Sequence, residues 1–329
     1  MRGVLLLGLC LWFLSGPAAR AESIRVLILD GGFRAVPAEG EVLGLLERRQ
    51  GSLLVSNKRY SGHIEVWRGQ RGLYIINELP LEQYVQSVVR AEVPQGWELE
   101  ALKAQAVVVR TYALHKKLQN GQRRYHLTSS VLHQLYQGEA EDAWVRTAVE
   151  ATRGEVLTYR GRPIEALYHS TCGGLTEEAS EVFGFSKPYL KPVRSPCSLS
   201  PYSLWARRFS LRELAGLLGM PGLKGLRVLS RSSTGRVKEL EAVGPEGSQV
   251  VPATELRRLL GWKRLPSTAF ELSQEGEELI FLGRGYGHGV GLCQWSALEL
   301  ARQGMGYREI LRHFYPGTQL HNIYAEQRL

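Results

Sequence analysis

A chain of 329 residues with 44% hydrophobic content can bury one large core or two moderate ones, and no long polar or Pro-rich linker divides it. Its 41 Lys and Arg against 32 Asp and Glu leave a formal charge of +9, which favours an acidic polymeric partner. A nucleic acid would satisfy the same balance, but the basic residues fall in scattered doublets, Arg48-Arg49, Arg123-Arg124 and Arg207-Arg208, with no nucleic-acid motif among them, so a solvated surface is their default reading and no nucleic-acid partner is expected.

In chain order, residues 1–21 read as a signal peptide. Arg2 supplies the positive start, Val4 to Leu14 an apolar run too short to span a bilayer, and Ala19-Arg20-Ala21 a cleavage site before Glu22. Cys10 follows Leu9 inside the apolar run, where a lipid-attachment signal needs a small residue. Export to the periplasm or cell-wall space is expected, with no transmembrane anchor after cleavage. Short strands are expected at Ile24–Leu29, Leu53–Ser56, His63–Trp67 and Leu73–Ile76. They give a β-rich N-terminal portion, placed at residues 22–70, ahead of a main domain over 71–329.

Two helices follow. Tyr84, Val85, Val88 and Val89 recur at helical spacing, and Pro94 pushes Val93 out of the α region, so the first helix ends at Glu92. An isolated acid there faces the partial negative charge of the last carbonyls, which raises its pKa and suits a proton donor. The second helix is expected from Glu98 to Leu118, with Leu99, Leu102, Ala106, Val109 and Ala113 on one buried stripe. Lys103, Arg110 and Lys117, seven apart, stack in one column, and the planar fork of Arg110 suits a carboxylate or a polar sugar group. Glu92 and Arg110 are open to two readings, a surface ion pair between packed helices or part of a catalytic site.

Further on, Glu155–Tyr159 and Ile164–His169 bracket Arg160-Gly161-Arg162 as a hairpin. Strands are expected at Leu226–Ser230, Val237–Ala242 and Leu279–Leu282, with a short helix near Thr254–Leu260. No regular βαβ alternation is visible, so the fold class is α+β, a mixed two-lobed body with a cleft. Gly283 to Gly291 has glycine at every second position, which in an extended chain puts Arg284, Tyr286, His288 and Val290 on one face and leaves the other bare. His288 is a site candidate against a structural histidine satisfied by backbone. Gln294 and Trp295 could line a sugar site or start the helix that ends near Gly304.

Removal of the leader leaves Cys172, Cys197 and Cys293. A disulfide between Cys172 and Cys197, a metal site that adds His169 or His288 to the three thiolates, and three separate thiols all remain open. The disulfide is preferred, because export exposes the chain to oxidants.

Five blocks carry a resemblance: LPLEQYVQSVVRAEVPQGWELEALKAQAVVVRTYA, YHSTCGGLTEEASEVFG at Tyr168–Gly184, PYLKPV at Pro188–Val193, GRGYGHGVGLCQWSA at Gly283–Ala297, and YREILRHFYPGTQL at Tyr307–Leu320. Together they resemble the SpoIID/LytB family, proteins related to the sporulation stage II protein D that cut peptidoglycan glycan strands. The resemblance implies a two-lobed SpoIID-like fold and a lytic transglycosylase with Glu92 as the catalytic acid/base. It also implies roles for Arg110, Tyr189 and Lys191, with His288 and Gln294 as further substrate-binding candidates. Arg110 and Lys191 fit a strand without stem peptides, whose lactyl group ends in a free carboxylate. Some members resemble metal binders in the HSTCGG region, which implies a possible structural zinc on Cys172, Cys197, Cys293 and His169; the chemistry itself requires no cofactor. Two alternatives stand beside this reading: a non-catalytic glycan-binding enhancer of a cell-wall amidase, and a hydrolase that uses water.

Overall fold

The computed structural model of the chain describes residues 22–28, 42–70, 72–130 and 133–325. The leader expected over 1–21, and Leu29 at the end of the first expected strand, lie outside the described residues. The fold is mixed α+β. Strands β1 (Ser23–Ile28), β2 (Val42–Val55), β3 (Lys58–Gly69) and β4 (Gly72–Pro80) join the two-residue β5 (Leu127–Thr128) in one sheet of order β2-β3-β4-β1-β5, antiparallel except for the β1–β5 pair. Ser56 and Asn57 both take positive φ, 48° and 63°, so a tight two-residue turn keeps β2 and β3 in register as one long hairpin. Sequence alternation showed only pieces of these strands. The boundary expected at residue 70 falls at the turn between β3 and β4, which pair with each other.

Helix α1 (Leu81–Glu92) leaves β4 directly and stops where Pro94 forbids another turn, with Val93 extended at φ −119° and ψ 143°. Helix α2 (Leu99–Gln119) is the centre of the main core. Every residue from Ala104 to Leu114 is buried, so the expected single stripe is corrected to burial all round. The reason is composition: Ala, Val and Thr are small enough for α1, α3 (Ala143–Ala151), α7 (Gln294–Arg302), α8 (Tyr307–Phe314) and β6 (Glu155–Tyr159) to approach from every side. Nor do the three stacked cations form a column facing a ligand. Lys103 pairs with Glu100, Arg110 with Glu82 and Lys117 with Glu22.

A second core occupies the stretch from Trp205 to Phe281. Two three-stranded sheets build it: β10 (Gly225–Arg231), β11 (Val237–Gly244) and β12 (Gly247–Pro252), then β13 (Phe270–Glu275), β14 (Glu278–Gly283) and β9 (Trp205–Ser210). Helices α5 (Leu211–Leu218) and α6 (Ala253–Leu260) pack against them, with the Ser210 hydroxyl capping α5 through the Glu213 N–H. The chain then returns to the first core. There β15 (Leu292–Cys293) lies parallel to β8 (Tyr168–His169), and β16 (Gln319–Asn322) pairs with β6, whose other edge holds β7 (Arg162–Pro163).

Candidate active site around Glu92

Glu92 is the last residue of α1 and is half-buried. Its Oε1 accepts two hydrogen bonds, from the Leu135 backbone N–H at 2.8 Å and from the Tyr168 hydroxyl at 3.1 Å. Its Oε2 has no hydrogen-bond partner among the described residues. Burial raises the pKa of this carboxyl, and the two hydrogen bonds oppose that shift without cancelling it. The direction matches the sequence expectation, but burial rather than the helix terminus is the leading cause. A proton on Glu92 belongs on Oε2, because Oε1 is already taken by two donors. The open oxygen is therefore the one that carries the acid.

Tyr168 is held by a device that spans most of the C-terminal half. Strand β8 pairs Tyr168 with Leu292 and His169 with Cys293. His288 Nε2 donates to the Tyr168 carbonyl at 2.8 Å, and its Nδ1 accepts the Val290 N–H at 3.1 Å, which fixes the neutral Nε2–H tautomer. Burial pushes the His288 pKa down and keeps the ring uncharged. So His288 orients the backbone of the tyrosine that touches Glu92. The glycine run between them is not extended, as alternation suggested: Gly285, Gly287, Gly289 and Gly291 have φ of 82°, 111°, 87° and 72°. A Cβ on Gly285 would sit 2.8 Å from the Thr171 carbonyl oxygen, and one on Gly287 2.9 Å from His169 Cβ. The bare face thus meets the chain around Thr171 and His169.

None of the other candidates hydrogen-bonds to Glu92 among the described residues. Arg110 is wholly buried and its guanidinium is spent on the fold, bonded to both oxygens of Glu82 and to the Glu155 carbonyl at 3.0 Å. Glu82 and Glu92 stand at opposite ends of α1, about 15 Å apart at the helical rise. This corrects both readings of the Glu92–Arg110 pair: the partner is Glu82, and no face of Arg110 is left for a ligand. Tyr189 is buried, with its ring 5.6 Å from that of Tyr159 and its hydroxyl accepting the Glu165 N–H at 3.4 Å. Lys191 is on an exposed loop, paired with Glu178 at 3.0 Å and with the Ser186 hydroxyl at 3.3 Å. Gln294 opens α7, is 5% exposed, and its Nε2 has no partner among the described residues. Lys116, half-buried, is bound to Glu165 at 2.7 Å.

The three cysteines do converge. All are free and buried, so the expected Cys172–Cys197 disulfide is not formed. Cys172 interacts directly with Cys197, Cys293 and His169, and the first two lower its pKa most. Amides point at the sulfurs: Cys172 N–H and Ser296 N–H donate to Cys293 Sγ at 3.1 and 3.4 Å, and Gly174 N–H donates to Cys172 Sγ at 3.3 Å. His169 Nδ1 bonds the Val290 carbonyl, while its buried Nε2 makes no hydrogen bond of normal geometry. Among the described residues no three such side chains are already drawn into a coordinating arrangement. Three thiols and an imidazole with an unbonded Nε2 are donor types that zinc accepts, although burial pushes the Cys293 thiol pKa up and the Cys172 sulfur pushes up that of Cys197.

Tyr168 and Leu135 were missed as partners of Glu92. Tyr168 stands in the YHSTCGG block, but nothing local ties it to a helix terminus 76 residues away. Trp97 was missed too; it is buried five residues after Glu92 with its ring 5.3 Å from that of Trp295.

A family model described as stage II sporulation protein matches residues 69–159, and one described as a domain of unknown function, DUF8618, matches residues 205–291, which takes in the second core. The chain is 32% identical over 262 residues to stage II sporulation protein D of Bacillus subtilis, covering 74% of this chain and 75% of that protein. It is 30% identical over 280 residues to an uncharacterized protein of Brachyspira hyodysenteriae, covering 84% and 76%. Similarity to the amidase enhancer of Bacillus subtilis is 29% over 287 residues, 72% of this chain but 40% of that protein.

Proposed function

The chain belongs to the SpoIID family of stage II sporulation proteins, and from that premise we propose that it is an exported lytic transglycosylase that cuts the MurNAc–GlcNAc bond of peptidoglycan strands. The observation that carries the reading is the state of Glu92: a lone carboxyl with a raised pKa, one oxygen fixed by Leu135 and Tyr168 and the other open. Ordinary glycosidases need a second carboxylate to attack or to activate water. Here the partners of Glu92 are an amide and a phenol, and neither can serve as that base. A sugar's own 6-hydroxyl removes the need. Glu92 gives its proton to the bridging oxygen as the C1–O bond breaks; the 6-hydroxyl oxygen bonds to C1, and its proton returns to Glu92.

Peptide-free strands are the proposed substrate. Their lactyl carboxylate needs a cation, and Lys191 is the candidate left, since its surface pair with Glu178 is weak enough to exchange. Arg110 acts through the fold, and Tyr189, His288 and Gln294 as supports of the surrounding backbone and core. Cys172, Cys197, Cys293 and His169 would hold a structural zinc that braces the β8–β15 pair and supplies no chemistry to the reaction.

Mass spectrometry of peptide-free glycan incubated with the mature chain tests the proposal. Anhydro ends support it. Reducing ends indicate attack by water, and uncut strands indicate the non-catalytic alternative, which the similarity to the amidase enhancer favours and which brings a cell-wall amidase as partner.

A further inference from the structure

Three aromatic side chains are exposed among the described residues: Trp144 at 50%, Phe183 at 43% and Trp262 at 38%. The Arg257 guanidinium lies 4.7 Å from the Trp262 ring centroid and covers it. Among the described residues no cation stacks on Trp144 or Phe183. Phe183 reaches Tyr168 through His288, and Trp144 is bonded to the loop that follows Glu92.

Trp144 belongs to the start of α3, which is fastened to the end of α1. Asp142, the residue before α3, accepts the Trp144 and Val145 N–H groups and pairs with Arg90 at 3.4 Å. The Trp144 indole N–H donates to the Trp97 carbonyl at 3.0 Å, so the ring is held on the loop that leaves Glu92. Phe183 ends the short α4 (Ala179–Phe183). Its ring meets His288 edge-on at 5.2 Å and stacks on Phe185 at 5.8 Å, and His288 in turn holds the Tyr168 carbonyl. Both rings are thus oriented by named contacts yet leave close to half of their surface in water.

We propose that Trp144 and Phe183 are stacking platforms for pyranose rings of the glycan strand bound at Glu92. The inference rests on the glycan-cleaving reading. A pyranose presents an apolar face of C–H groups, which suits the electron-rich face of an aromatic ring. A protein partner calls for a broad contiguous apolar patch, whereas Trp144 has exposed Arg146 and Thr147 beside it, and Phe183 with its stacking neighbour Phe185 is followed by exposed Ser186.

The test is binding of amidase-stripped glycan strands by the full mature chain carrying Glu92→Gln, so that affinity is read without turnover. Adding Trp144→Ala or Phe183→Ala is expected to weaken binding about 3- to 10-fold each, while Trp144→Phe and Phe183→Tyr stay within about 2-fold. Trp144→Gln keeps a donor for the Trp97 carbonyl and is expected to bind as weakly as the alanine variant, which separates loss of the ring from loss of the loop contact. Alanine variants that bind as tightly as their parent overturn the inference and leave the glycan-cleaving reading standing. Unchanged strand affinity with lost binding to a cell-wall amidase also overturns it, in favour of a protein contact. No strand binding by the Glu92→Gln parent overturns both.

Discussion

Arg110 and Glu82 form a two-point ion pair inside the fold, Nη2 to Oε2 at 2.7 Å and Nε to Oε1 at 3.0 Å, with the arginine wholly buried and the glutamate nearly so. The pair locks the first turn of α1 to the middle of α2, and Glu82 also accepts the Gly154 N–H at 3.1 Å. Removing one partner leaves a charge without water or counterion. Arg110→Ala is therefore expected to cost about 3 to 5 kcal/mol of stability, measured by denaturant unfolding. Loss of cleavage should follow loss of folded protein. An Arg110 variant that unfolds like the parent yet no longer cuts strands would show that the arginine reaches substrate.

Glu92→Gln is expected to lower strand cleavage by about 10²- to 10⁴-fold, because the amide keeps the shape but cannot give and recover a proton. Product release measured beside a thermal melt checks this. Near-parental turnover would remove Glu92 from the mechanism.

The same variant carries a stability prediction of fixed sign. A carboxyl whose pKa is raised on folding stabilises the protein below its unfolded value, and that contribution is lost as pH rises through the folded value. At neutral pH the parent holds a partly desolvated charge that the amide lacks. Glu92→Gln should therefore melt higher than the parent at neutral pH, and the gap should close as the solution is made acidic. A gap that does not change with pH would mean that Glu92 is not strained by burial.

Tyr168→Phe removes a donor that favours the carboxylate form of Glu92. The Glu92 pKa should rise further, so the alkaline limb of the kcat/KM profile moves to higher pH. An unmoved limb would place the tyrosine outside the titration.

For the cysteine cluster, about one zinc per chain is expected by elemental analysis, with Cys172, Cys197 and Cys293 shielded from thiol reagents until a chelator is added. Cys293→Ser should lower both the metal content and the melting temperature. Three thiols that react freely in a metal-free chain would leave the cluster as ordinary core.

Local patterns read well because their causes are local. The stop at Pro94, the two helices and three strands of the second core, β10, β11 and β14, follow from periodicity and breakers within a few residues, but β9, β12 and β13 were not read. The hairpin after Glu155 closes on Arg162–Pro163, while Tyr168–His169, at the end of its expected second arm, pairs with β15 instead. Burial of α2 on every side was not legible, since a run of Ala, Val and Thr looks like one stripe until five elements are seen to close on it. The positive φ of the alternating glycines was hidden for a related reason: the same spacing suits an extended strand. Arg110 was assigned to Glu92 because helical spacing gives the face but not the height along it. Tyr168 and the meeting of Cys172, Cys197 and Cys293 depend on segments far apart in sequence, where no periodicity reaches.

Tyr168 and the histidine that holds its carbonyl are 120 residues apart, with the whole second core between them. A chain that emerges N-terminus first presents Glu92 early but cannot order its tyrosine until the second core and the glycine run have been delivered. The acid is thus assembled last. A chain truncated before the glycine run would therefore carry Glu92 without the histidine that holds the carbonyl of its tyrosine.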